Sequence, residues 1–217
     1  MFETLVPPNF LFQFAVPCHY LAGLKLGMAS SLTERYTLPW FGQLEGKTSF
    51  ATLRGAWSET GMLFWLKVQG KKQALWCRDS RLEESDGMTL FLDTRNTKTI
   101  HRAGRFCHRF GFFPLGAGRK LDEPVAALLA INRARESPRE MEPGSLKIRA
   151  ERYTDGYTLE AFIGADALTG FSPNDQPQIG FAYAVQDREL GLQTMTLGPE
   201  FPFEEDPSLW ATLDLVK

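Results

Sequence analysis

Apolar and polar residues alternate with a period of two along much of this chain, and that pattern predicts strands. Met88, Leu90 and Leu92 alternate with Thr89, Phe91 and Asp93. Phe106, His108, Phe110 and Phe112 alternate with Cys107, Arg109 and Phe113, so a second strand follows the first through residues 94–105. Ser49–Trp57 and Met62–Val68 form a similar pair around the turn residues Glu59-Thr60-Gly61, with Met62, Phe64, Leu66 and Val68 on one face. Leu146–Tyr153 and Tyr157–Ile163 flank Thr154-Asp155-Gly156, a tight-hairpin signal. Gln178–Asp187 sends Ile179, Phe181, Tyr183 and Val185 to one side, and Ala211–Val216 closes the chain as a last strand.

Two stretches depart from this pattern. Residues 1–39 form an N-terminal arm of little periodicity, in which Phe10, Phe12 and Phe14 alternate and suit an edge strand or a wrap across a sheet. Asp122–Ala134 (DEPVAALLAINRA) predicts a short helix: Asp122 as N-cap, Pro124 in the first turn, and Val125, Leu128, Leu129 and Asn132 at helical spacing. It reads as an insertion at about 115–145 over one edge of the fold. The fold class expected is therefore all-β: one antiparallel β-sandwich over 40–217, of the jelly-roll or immunoglobulin-like kind, with the arm packed on it and one short inserted helix.

Composition narrows the function classes. The chain has 217 residues, 17 of them Phe, and a formal net charge of −2, which argues against general nucleic-acid binding. No stretch is long and apolar enough for a membrane helix, and MFETLVPPNFLFQF lacks the basic start of a signal peptide. Cys18, Cys77 and Cys107 are three and widely spaced, which fits reduced cysteines in a cytoplasmic protein better than a disulfide framework. The oligomeric state is not legible.

Arg95, Lys98, His101, Arg102 and Arg105 crowd the connection between the two central strands. A cationic loop on a rigid sheet suits an anionic or polar ligand. The same arginines could instead pair with carboxylates: Arg95 with Asp93 or Asp187, Arg105 with Glu204–Asp206. His101, Cys107, His108 and Cys77 match no compact zinc motif, and no metal is expected. His108 reads as a core histidine with Asp93 as its hydrogen-bond partner. No Gly-x-Ser-x-Gly elbow, phosphate-binding glycine loop or assignable carboxylate pair is present, so no catalytic residues are assigned.

Asp86–Arg95 (DGMTLFLDTR) resembles the D-x-x-E-h-h-h-D-x-R/E strand of family 9 carbohydrate-binding modules and of the wider DOMON-like superfamily. DGYTLEAFIGADALTG (Asp155–Gly170) and IGFAYAVQDRELG (Ile179–Gly191) resemble two further segments of that superfamily, in the same order. The resemblance implies a β-sandwich and a non-catalytic ligand-binding role, with a carbohydrate as ligand and no cofactor. Trp76 stands near the place where those modules carry an aromatic platform, and with Arg95, His101, Arg102 and Arg105 it makes the expected ligand set. Thr89 replaces the motif's Glu, and Gly164 a usual Pro. The loss of that carboxylate together with the basic connection points to an anionic glycan. Haem binding, with ligands among Met62, Met88, His101 and His108, is the alternative that the superfamily also offers; an uncharacterised hydrolase or accessory protein comes third.

Overall fold

The computed structural model describes residues 8–78 and 80–217. These residues form eleven strands: β1 (Ala15–Tyr20), β2 (Ala51–Ser58), β3 (Gly61–Gln69), β4 (Gly87–Asp93), β5 (Cys107–Ala117), β6 (Glu123–Leu129), β7 (Leu146–Tyr153), β8 (Gly156–Gly164), β9 (Gln178–Asp187), β10 (Gly191–Thr194) and β11 (Ala211–Val216). They form one continuous sheet in the order β6-β5-β4-β9-β11-β1-β2-β3-β8-β7, with β10 added beside β9. The sheet curls until its end strands approach each other. Arg152 on β7 there donates a hydrogen bond to the carbonyl of Asp122, just before β6.

The expected strands appear with the expected facing. Met62, Phe64, Leu66 and Val68 of β3, Met88, Leu90 and Leu92 of β4, Phe110 and Phe112 of β5, and Ile179, Phe181, Tyr183 and Val185 of β9 all enter one buried interior. Phe64 and Phe181 stack across it from opposite walls, with ring centroids 5.7 Å apart. The interior is filled by side chains, as in a small barrel. The β2–β3 turn requires glycine at Gly61, because φ is +140° and a Cβ there would meet the Ile163 carbonyl oxygen at 2.1 Å.

Three expectations are corrected. The sheet is mixed and barrel-like, where an antiparallel sandwich was expected: β1 runs parallel to both β11 and β2, joining what would otherwise be two leaves. Pro17 is tolerated within β1 because β2 accompanies that strand only at His19 and Tyr20. The stretch expected as an inserted helix is instead strand β6, paired with β5 from Arg109↔Leu129 to Phe113↔Val125. The open edge of β5 offers backbone partners that outweigh the helix propensity of Ala and Leu. Pro124 sits on a sheet edge, where a missing N–H is harmless, and Ala126 and Leu128 turn inward against the core.

The third correction concerns His108. Register sets Leu92 opposite His108 and Asp93 opposite Cys107, so His108 points into the interior and Asp93 points out. Asp93 caps the turn after β4, accepting the N–H of Arg95 at 2.9 Å and of Thr97 at 2.7 Å. His108 Nε2 accepts the N–H of Thr169 at 3.0 Å. Its ring is fully buried and stacks on Phe110.

Candidate functional site

Strands β2, β3, β8 and β7 place one row of large polar and aromatic side chains on their outer face. Arg54 lies opposite Trp65, Trp65 opposite Glu160, and Glu160 opposite Arg149. The next outward row carries Thr52, Lys67, Thr158 and Glu151. This is the solvent-side half of the same alternation that packs Phe64, Leu66 and Leu159 inside.

Residues 21–36 cover only part of this face. Leu24 and Leu32 bury a small apolar cluster with Ala56, Leu63 and Phe162. Side chains of the sheet anchor the segment by its backbone. Arg54 Nη1 donates to the Leu32 carbonyl at 2.6 Å, and Glu160 Oε1 accepts the Gly27 N–H at 2.8 Å. Where this cover stops, a groove of about 450 Å³ opens, with Gly27, Ala29 and Ser30 on one bank and Arg149, Glu151 and Tyr153 on the other. Trp65 is half-buried on its floor, and Arg54 stacks its guanidinium carbon 5.1 Å from the indole centroid.

The groove's polar groups are incompletely used. The Glu160 side chain is nearly buried and accepts one hydrogen bond, to Oε1, among the described residues. Neither Arg54 nor Arg149 forms an ion pair with it; Arg149 pairs with Glu151 at 3.2 Å. Arg54 Nε is buried without a partner among the described residues. An aromatic ring beside a carboxylate, two guanidiniums, Thr158 and the Tyr153 hydroxyl can stack on an apolar ring face and bond hydroxyl groups around its rim. Two cations and two anions leave the floor near neutral.

The residues expected as a ligand set are distributed over two ends of β4. At one end, the Trp76 N–H donates to the Asp86 carboxylate, the Trp76 carbonyl accepts the Asp86 N–H, and the Arg188 guanidinium lies 4.9 Å from the Trp76 ring centroid. Asp86 and Asp187 there clasp the buried ammonium of Lys71, at 3.1 and 2.7 Å. Burial works against that charge, but the two carboxylates outweigh it and raise the Lys71 pKa. The seven residues of β4, about 20 Å at strand rise, separate Trp76 from the basic connection.

At the other end, His101 Nδ1 lies 3.0 Å from Asp206 and 3.1 Å from Ser208 Oγ. Arg102 Nε donates to the Arg133 carbonyl at 2.7 Å. Arg95 and Arg105 both rest on the Phe106 ring, at 4.7 and 5.0 Å from its centroid. The carboxylates offered as their partners are engaged elsewhere: Asp93 in the turn, Asp187 with Lys71, and Glu204 with Arg109 at 2.8 Å. Lys98 turns inward to the carbonyls of Trp210 and Ala211, and burial lowers its pKa to about 8.

Sequence reasoning gives no ligand role to Trp65, Arg54, Glu160 or Arg149, and reads Trp65 as structural. A signal for them existed, since Arg54, Trp65 and Glu160 all fall on the outward parity of strands whose other parity is apolar. What hid the groove was the course of the N-terminal segment that forms its bank. The alternative haem ligands do not converge: Met62, Met88 and His108 are packed in the interior, while His101 is exposed on the outside. Cys18 and Cys107 are buried in different clusters, and burial raises both thiols to about 12.

No family model and no curated protein matches the chain by sequence. Solved structures do match. A family 9 carbohydrate-binding module from Caldicellulosiruptor kristjanssonii in complex with cellotriose is 13% identical, with a TM-score of 0.61 over 93% of each chain. The module from that organism in complex with glucose is 14% identical, with a TM-score of 0.60 over 93% of this chain and 95% of that one. A proposed carbohydrate-binding protein from Bacteroides uniformis is 12% identical, with a TM-score of 0.61 over 94% of this chain and 100% of that one. Nearly the whole chain therefore adopts the fold of family 9 carbohydrate-binding modules.

Proposed function

We propose that this protein is a non-catalytic carbohydrate-binding domain that holds a neutral glycan in the groove over Trp65. One observation carries the reading. A half-exposed Trp65 lies in register between Arg54 and Glu160, whose polar atoms the protein leaves partly unused. A pyranose presents an apolar face to stack on such a ring and hydroxyls that both donate and accept, which a carboxylate and a guanidinium match. The cellotriose and glucose bound by structural neighbours agree with a sugar as ligand class.

Calorimetric titration with cello-oligosaccharides and other neutral glycans tests this. Trp65→Ala is expected to weaken binding at least about tenfold, on the scale of a lost aromatic anchor. Glu160→Gln, which keeps the shape but removes the charge, should weaken it less. Full affinity in Trp65→Ala would place the sugar elsewhere.

A further inference from the structure

Two loops meet at the end of the barrel where β4 turns towards β5: residues 94–106 and residues 130–142. Two hydrogen bonds join them, and a third ties the second loop to Thr169. Arg102 bonds the Arg133 carbonyl, the Arg135 N–H donates to the Ala103 carbonyl at 2.8 Å, and the Arg139 N–H donates to Thr169 Oγ1 at 3.3 Å. Arg95, Arg102, Arg105, Arg135 and Arg139 are all exposed on these joined loops, and among the described residues none of the five is in an ion pair. Nearby carboxylates are committed: Glu204 to Arg109, Glu205 to Asn132 and Arg133, and Asp206 to His101 and Ser208. The two loops themselves carry only three carboxylates, Glu136, Glu140 and Glu142, within a chain whose net charge is −2.

The patch is built rather than incidental in one further respect. Arg95 and Arg105 hold their guanidiniums over the Phe106 ring, and neither side chain makes a hydrogen bond within the described protein. The N–H donors of both guanidiniums are left free, and they match carboxylate and sulfate oxygens. Gly170, at φ +76°, makes the seat: a Cβ there would meet the Phe106 ring at 2.9 Å and Arg95 Nη2 at 3.1 Å. Like charges brought together without ion-pair partners repel one another, and a bound anion relieves that repulsion.

We infer that this surface recognises the acidic groups, sulfate or carboxylate, of a polysaccharide, as a second contact remote from the Trp65 groove. The inference takes its ligand class from the carbohydrate reading above. Phe106, the ring within the patch, is occupied by guanidiniums and offers nucleobases no free platform, which favours a glycan over a nucleic acid.

The test titrates the full chain with dextran sulfate, polygalacturonate, unmodified dextran and poly(dT), at low and high salt. At least one acidic polysaccharide should bind, more weakly at high salt, and the sulfate and carboxylate arms identify the acidic group. The double variant Arg95→Gln/Arg105→Gln should weaken that binding roughly tenfold or more, as expected for losing charge-assisted hydrogen bonds, with an unchanged melting temperature. Arg119→Gln/Lys120→Gln, on a different exposed loop, should not. The inference is overturned if neither acidic polymer binds, if the control pair loses as much, or if poly(dT) binds more tightly than either. Trp65→Ala separates the two sites. Acidic-polymer binding that survives it supports a separate surface, even where neutral glycans fail to bind the groove; its loss there overturns the inference.

Discussion

Acid should unfold this protein through His108, and the size of the effect follows from where the ring sits. The imidazole is fully buried; Nε2 accepts the Thr169 N–H, and Nδ1 has no partner among the described residues. Burial pushes its pKa from 6.5 down to about 4, against a weaker upward pull from the Leu92 and Phe106 carbonyls. In the unfolded chain the same ring titrates near 6.5. Above that pH both states are neutral and the histidine contributes nothing pH-dependent. As pH falls from 6.5 towards 4, the unfolded state takes up a proton that the folded state refuses, so stability falls. At about 1.4 kcal/mol per pH unit the loss approaches about 3 kcal/mol by pH 4, and about 2 kcal/mol by pH 5. Urea unfolding at stepped pH and constant ionic strength measures it, with His108→Gln as reference. Glutamine retains an acceptor for the Thr169 N–H but does not titrate, so the carboxylates common to both proteins cancel in the difference. Wild type should be the more acid-sensitive of the two between pH 6.5 and 4 by that amount. Parallel curves over this range would refute the argument.

Two further outcomes concern the core. Phe64→Ala removes a ring stacked across the barrel on Phe181 and should cost about 3–5 kcal/mol, read as a lower denaturant midpoint; an unchanged midpoint would mean that the two walls do not depend on that contact. Lys71→Met leaves Asp86 and Asp187 buried without their ammonium and should also cost about 3–5 kcal/mol near neutral pH. The melting temperature of that variant should recover partially on mild acidification, as the orphaned carboxylates take up protons.

Strand identity and facing were legible from the residues alone, because a half-buried strand repeats every two positions whatever its partners. That is why β3, β4, β5 and β9 present the expected side chains to the interior, and why Thr154-Asp155 closes the β7–β8 hairpin where turn chemistry placed it. Pairing is different, since a strand's neighbours are chosen by backbone edges that lie far away along the chain. PVAALL carries no local mark that separates a helix from an edge strand; the free side of β5 decided it. Nor does AVPCHY show that it runs parallel between β11 and β2, which turns the expected sandwich into a nearly closed mixed sheet. Register then settled chemistry that composition left open: a shift of one residue separates His108 from Asp93 and sends them to opposite faces. The groove exists for the same reason. Trp65 and Glu160 are neighbours only through the β3–β8 ladder, and the bank above them comes from a segment more than thirty residues upstream of Trp65.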